Sequence, residues 1–207
     1  MINFPSPKNF SKEGSPQPGD SPSIVAPPRN LRTHQLQNAW TLWRIDQGKN
    51  QSWENMLRSL GSFSTVEDFW SLYWRIEPPS KLKNGSDYFL FKSNIQPMWE
   101  DPANKEGGRW LIALQKGSTN LDAAWLDMLL CLIGEVSDHS DQICGGVVRI
   151  RKKGDKISLW TNNGKDEEAV LEIGHKIRQV VSLEFNQRIQ YQEHMKEAIG
   201  SGLMHFL

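Results

Sequence analysis

The chain has 207 residues, 38% hydrophobic and 23% charged, and its 24 Lys+Arg balance its 24 Asp+Glu. A net charge of zero excludes a protein that coats nucleic acid through bulk positive charge, while leaving room for a local basic site. No apolar run approaches the roughly 18 residues of a membrane span, so no membrane attachment is expected. The beginning of the chain has neither a basic start nor an apolar stretch, and no secretory signal is expected. Cys131 and Cys144 are too few for a disulfide framework or a four-ligand zinc site, which fits a reducing, cytoplasmic compartment.

Residues 1–33 hold seven of the eleven prolines and five serines, with only Phe4 and Phe10 as aromatics. Such a segment buries too little apolar area to offset its ordering entropy, and a disordered tail is expected there. Residues 34–207 then form one domain. Strand-like spacing runs over 34–43 and 51–57. Ser64 and Glu67 predict a capping box. The helix it opens carries Val66, Phe69, Trp70 and Tyr73 on one stripe, and Pro78-Pro79 is expected to end it.

Strands follow over 88–91 and 109–114, separated by a Pro-, Asn- and Gly-rich loop at 96–108. A second helix is predicted from 120 or 121 to about 133, ending at Gly134, with apolar residues nearly all round. Over 148–160, Val148, Ile150, Ile157 and Leu159 alternate with polar residues across a Lys152-Lys153-Gly154-Asp155 turn. This is a hairpin of period two. If its strands pair normally, Arg149, Arg151, Lys156, Ser158 and Trp160 share one face. A third helix over 166–181 would place Val170, Ile173, Ile177 and Val180 inward. No repeat is visible.

Nine tryptophans, all at or after Trp40, carry the functional signal. Trp99, in the polar loop Pro-Met-Trp-Glu-Asp-Pro, is a natural stacking plate for a base. The adjacent Glu100 can accept paired N–H bonds from a guanine edge. Each also reads as an ordinary loop anchor. Trp53, in Lys49-Asn50-Gln51-Ser52-Trp53, is either a second plate or a strand aromatic covering a sheet edge. The basic hairpin suits a phosphate chain, with Arg151 and Lys156 pointing the same way, or is a solvated face that deters edge pairing. Together, two plates, an acid and a basic cluster suit a nucleotide with a cationic base such as N7-methylguanine. Glycine-rich phosphate loops, nucleophile elbows and paired metal-spaced histidines are absent, so no enzyme, no cofactor and no metal are expected. Asp138-His139-Ser140-Asp141 reads as a turn, Cys131 as core, and His175 and His194 have no evident partner.

These same stretches resemble the translation initiation factor 4E family. The likeness is carried by Leu36-Gln37-Asn38-Ala39-Trp40-Thr41-Leu42-Trp43, Thr65-Val66-Glu67-Asp68-Phe69-Trp70, Ile95-Gln96-Pro97-Met98-Trp99-Glu100-Asp101, Gly107-Gly108-Arg109-Trp110, Leu132-Ile133-Gly134-Glu135 and Gly154-Asp155-Lys156-Ile157. The resemblance implies an α+β fold, a curved antiparallel sheet of about eight strands with three helices on its convex face. It implies a monomer that binds the 7-methylguanosine cap of mRNA and recruits a scaffold to start translation. Trp53 and Trp99 would sandwich the base and Glu100 would bond its edge. Trp160 would touch the N7-methyl group, and Arg151 and Lys156 would hold the phosphates, with Arg109 and Lys153 assisting. The helical back would take the Tyr-x-x-x-x-Leu-hydrophobic helix of the 4G scaffold and the 4E-binding proteins at His34, Gln35, Val66, Trp70, Leu126, Asp127, Leu130 and Gly134.

The family usually has His-Pro where this chain has His34-Gln35, and often Glu at the place of Asp127. The alternative is therefore a specialised isoform that binds cap, engages the scaffold poorly and represses translation. The family's regulated serine aligns with Leu203, so no such regulation is expected.

Overall fold

Alternating apolar residues build the sheet, and each strand offers one of its two faces to the helices. The computed structural model describes residues 33–46, 53–118, 120–183, 187–194 and 205–207, and the side chains of Trp53 and Glu54 are outside that description. The expected tail over 1–33 falls outside it apart from Thr33, as does Leu203. The strands are β1 (Gln35–Asp46), β2 (Arg58–Thr65), β3 (Ser86–Lys92), β4 (Gly108–Leu114), β5 (Ile143–Arg149), β6 (Asp155–Thr161), β7 (Ile189–Glu193) and β8 (His205–Phe206). They form one sheet in the order β2-β1-β3-β5-β6-β4-β7-β8, antiparallel throughout. Among the described residues, three helices longer than one turn, α2 (Val66–Tyr73), α4 (Leu121–Gly134) and α5 (Glu167–Val180), bear out the expected three. Two single-turn helices, α1 (Trp53–Met56) and α3 (Pro102–Lys105), are additional.

The main core lies between the sheet and the three longer helices. Trp110, Ile112, Leu159 and Tyr191 of the sheet meet Trp125, Met128, Val170 and Ile173 there, all buried. Burying each such side chain contributes roughly 1.5–3 kcal/mol. Gly174 lets α5 approach closely: a Cβ there would lie 2.3 Å from the Trp110 ring. The Trp110 indole N–H donates to the Val170 carbonyl at 2.8 Å, so the same close approach satisfies a buried donor. On the other face a smaller cluster of Ile45, Phe89, Phe91, Ile95, Cys144, Val147 and Trp160 is covered by Met56, Leu57 and Ala103. This side of the sheet, the helix-free face in that none of the three longer helices packs on it, is thus apolar at its centre, with the single-turn α1 and α3 at Met56 and Ala103 against it.

Local details differ from the sequence expectations. The helical turn at 53–56 replaces most of the expected 51–57 strand, and the strand proper begins at Arg58. Ser64 remains in β2, because β1 and β2 stay paired as far as Gln35 and Thr65. Thr65 therefore caps α2, accepting from the Asp68 N–H at 3.1 Å. Glu67, released from the capping box, takes both the His34 backbone N–H (3.0 Å) and His34 Nδ1 (2.6 Å). α2 ends at Tyr73, well before Pro78-Pro79, which instead open a 3-10 turn over Pro79–Lys81. The left-handed residue after α4 is Glu135 (φ 47°), not Gly134. Val180 is exposed, since α5 turns it outward in its last turn.

Candidate functional site

Strand register decides which side chains meet. On the helix-free face, Phe91, Gly145, Trp160, Arg109 and Gln192 align across β3, β5, β6, β4 and β7. Two rungs away, Asp87, Arg149, Lys156 and Ala113 align across β3, β5, β6 and β4. The expected hairpin face is therefore present, with Arg149 opposite Lys156 and Gly145 opposite Trp160. Gly145 leaves room for this rung, because a Cβ there would lie 2.4 Å from the Leu90 carbonyl oxygen.

Trp160 is buried by Phe91, edge-on at 5.5 Å, and by the ring of His194 at 4.3 Å. His194 lies just beyond β7, its backbone N–H bound to the Gly107 carbonyl. Burial, with Arg109 and Arg149 nearby, holds its pKa down to about 4. The sequence left His194 without a partner. Its position beside Trp160 depends on β7 pairing with β4, and no short-range pattern signals that pairing. Arg109 is half-buried and donates to Gln192 Oε1 at 3.3 Å.

Trp99 and Glu100 sit at the tip of a turn, both exposed, Trp99 at 47%. The loop beneath them is braced internally. Asp101 accepts the Gln96 and Ala103 N–H groups, both at 2.9 Å. Asn104, 0% exposed, donates to the Gln96 carbonyl at 2.9 Å and the Met98 carbonyl at 2.7 Å. The Cys144 thiol, its pKa pushed up to about 12 by burial, donates to the Ala103 carbonyl at 3.4 Å. That contact roots the loop beside the rung that holds Trp160. Trp53 has its backbone in α1.

The hairpin tip carries Arg151, Lys153 and Lys156. Lys153 and Lys156 are exposed, while Arg151 is half-buried and grips Asp87 with both terminal nitrogens. That carboxylate raises the Arg151 pKa. Asp155 accepts the Arg151 backbone N–H at 3.0 Å and Lys116 Nζ at 3.1 Å, closing the turn.

On the opposite side, Leu126, Leu130 and Gly134 recur every fourth residue along α4, and Leu130 is exposed. Val66 opens α2, and Trp70 stacks with the exposed Trp74 one turn on (6.0 Å, 23°). The start of β1 and the residue before it connect the two helices: His34 bonds to Glu67 of α2, and Asn38 of β1 donates to Glu135 just after α4. Gln35 is exposed at the start of β1. Asp127 turns away, accepting the Ser182 N–H at 2.8 Å. No helix among the described residues is long and apolar enough to cross a membrane.

This arrangement of eight strands, three backing helices and a basic, aromatic sheet face matches a known family. The family model described as eukaryotic initiation factor 4E matches residues 35–202. Eukaryotic translation initiation factor 4E1 of Drosophila melanogaster is 52% identical over 204 residues, covering 95% of this chain and 79% of its own length. Ascaris suum eIF4E-3, solved in complex with an m2,2,7G cap, superimposes with a TM-score of 0.77 at 43% identity, over 79% of this chain and 92% of that one. C. elegans eIF4E-3, solved with the 4E-binding protein Mextli and a cap analogue, gives 0.79 at 41% identity, over 85% and 100%. The chain belongs to the eukaryotic initiation factor 4E family.

Proposed function

We propose that this protein binds the 7-methylguanosine cap of mRNA on the helix-free face of its sheet and a translation scaffold on its helical back. The base lies between Trp53 and Trp99, with Glu100 accepting from the guanine edge and Trp160 against the N7-methyl group. Arg151 and Lys156 hold the phosphates, and Arg109 and Lys153 assist. Cation–π attraction favours the methylated base over the neutral one, adding to stacking of about 1–3 kcal/mol per base. The back takes a Tyr-x-x-x-x-Leu-hydrophobic helix across His34, Gln35, Val66, Trp70, Leu126 and Leu130, with Gly134 leaving room for close approach. Asp127 borders this face. The protein works in the cytoplasm by binding and performs no catalysis.

One observation carries the reading: the register puts Trp160 and Arg109 on one rung and Lys156 two rungs away on the same face, beside a braced loop that presents Trp99 and Glu100. Relatives solved with cap and with a 4E-binding protein support it. Tryptophan fluorescence titration with 7-methyl-GTP and with GTP tests it. Strong quenching by the methylated nucleotide alone is expected. Equal or absent quenching by both would overturn cap selectivity.

A second reading, an isoform that holds cap but engages the scaffold poorly, is favoured by one contact. Asp127 is committed to the Ser182 N–H. Capture of this protein by an immobilised Tyr-x-x-x-x-Leu-hydrophobic peptide separates the two, since tight capture sinks the repressor reading.

A further inference from the structure

The guanidinium of Arg151 is not left to find a ligand unaided. Asp87, on β3, is one strand away from the hairpin that carries Arg151. Its carboxylate is 7% exposed and accepts from Arg151 Nη1 at 2.5 Å through Oδ1 and from Nη2 at 2.9 Å through Oδ2. Arg151 Nη1 also donates to the Ile150 carbonyl at 3.0 Å. These three bonds use three of the five N–H groups of a guanidinium and leave Nε–H and one Nη2–H for another acceptor. Asp87 is also the Cα partner of Arg149, whose Nε lies 3.9 Å from Asp87 Oδ2. A buried carboxylate therefore lies under the two arginines of the hairpin.

We infer that Asp87 is a positioning residue for phosphate recognition, fixing the guanidinium of Arg151 so that its remaining N–H groups point from a set place toward the phosphate chain of a capped nucleotide. The inference rests on the cap-binding reading of this face. Two physical effects of Asp87 oppose each other. Its negative charge beside the phosphate site repels the ligand, so charge alone predicts that removing it tightens binding. Its bidentate grip removes the rotamer freedom that an arginine otherwise loses on binding, so positioning predicts that removing it weakens binding. A bidentate pair between a buried carboxylate and a half-buried guanidinium has the rigidity for the second effect to dominate. The sign of the change therefore identifies the role.

The test compares Asp87→Asn with the unaltered protein, using 7-methyl-GTP and the nucleoside 7-methylguanosine as probes and tryptophan quenching as the readout. Asparagine keeps the shape and removes the charge-assisted grip. Affinity for 7-methyl-GTP is expected to fall about tenfold, the scale of one positioned charge-assisted contact. Affinity for 7-methylguanosine should stay within about twofold. In an Arg151→Ala background, Asp87→Asn should cost nothing further, because a residue acting through Arg151 has no effect without it. Unchanged or tighter binding of 7-methyl-GTP by Asp87→Asn would overturn the inference in favour of simple charge. An equal loss for nucleoside and triphosphate would overturn it in favour of a general folding role. Failure of the unaltered protein to bind either probe would instead overturn the cap-binding reading, and this inference with it.

Discussion

The imidazole of His194 packs against the indole of Trp160, ring centroids 4.3 Å apart, and is buried and uncharged where Arg109 and Arg149 already supply positive charge. A neutral ring is what this place requires. A third cation here would be desolvated and repelled by both arginines, and each effect disfavours protonation.

This burial has a consequence for stability. The folded-state pKa of His194 is held down to about 4, below the ordinary histidine value near 6.5. Between those values the unfolded chain binds the proton and the folded one does not. Stability is then fully present above pH about 6.5 and is lost as pH falls toward 4, by at most about 1.4 kcal/mol per pH unit. Asp46, Glu67 and Asp166, whose pKa values are lowered, add an acid loss of the same sign. Urea unfolding at several pH values should therefore show a shallower dependence over this window in His194→Gln than in the unaltered chain. Parallel curves would refute the role of the imidazole.

Asn104 is the strut of the loop that presents Trp99 and Glu100. Its amide holds two carbonyls, and both lose their donor in Asn104→Ala. The expected cost in stability is about 1–3 kcal/mol. The effect on 7-methyl-GTP should be larger than this local cost suggests, because Trp99 and Glu100, proposed above to meet the base, sit on the braced turn. A drop of about tenfold or more in affinity, measured by quenching, is expected, with GTP binding remaining weak.

The cap of α2 shows what could be read from the sequence and what could not. The spacing of Ser64 and Glu67 matches a capping box, and Thr65 and Asp68 match a cap nearly as well. Only the pairing of Thr65 with Gln35, thirty residues away in sequence, decides between them. Thr65→Ala should cost about 1 kcal/mol and Ser64→Ala close to nothing, by thermal or urea unfolding. The hairpin face was legible for the opposite reason. Its register follows from period-two alternation within 148–160, and Arg149, Lys156 and Trp160 could be placed without knowledge of distant strands. His194 and Asp87 could not, since β7 and β3 reach the site through long-range pairing. The loop struts were missed because Asn104 reads locally as an ordinary turn residue.

Gly145 tests the packing beneath Trp160. Its added Cβ would lie 2.4 Å from the Leu90 carbonyl and 2.5 Å from the Phe91 ring, neither of which can move cheaply. Gly145→Ala should destabilise the fold by roughly 1–3 kcal/mol and displace Trp160, lowering the preference for 7-methyl-GTP over GTP. A variant as stable and selective as the unaltered chain would mean that the sheet yields here.

The two faces of the sheet should respond separately to mutation. Trp70 lies on α2, on the helical side, and joins the main core only in part. Trp70→Ala should abolish capture by a Tyr-x-x-x-x-Leu-hydrophobic peptide and leave quenching by 7-methyl-GTP within about twofold. Asp127→Ala should behave differently. Its carboxylate holds the Ser182 N–H just after α5, so its removal should lower stability by about 1 kcal/mol and change peptide affinity little. If Asp127→Ala instead weakened peptide capture as much as Trp70→Ala, the carboxylate would have to leave Ser182 to meet the partner. The aspartate would then be a true part of the docking face, and its contact with Ser182 would no longer favour a poorly engaging isoform.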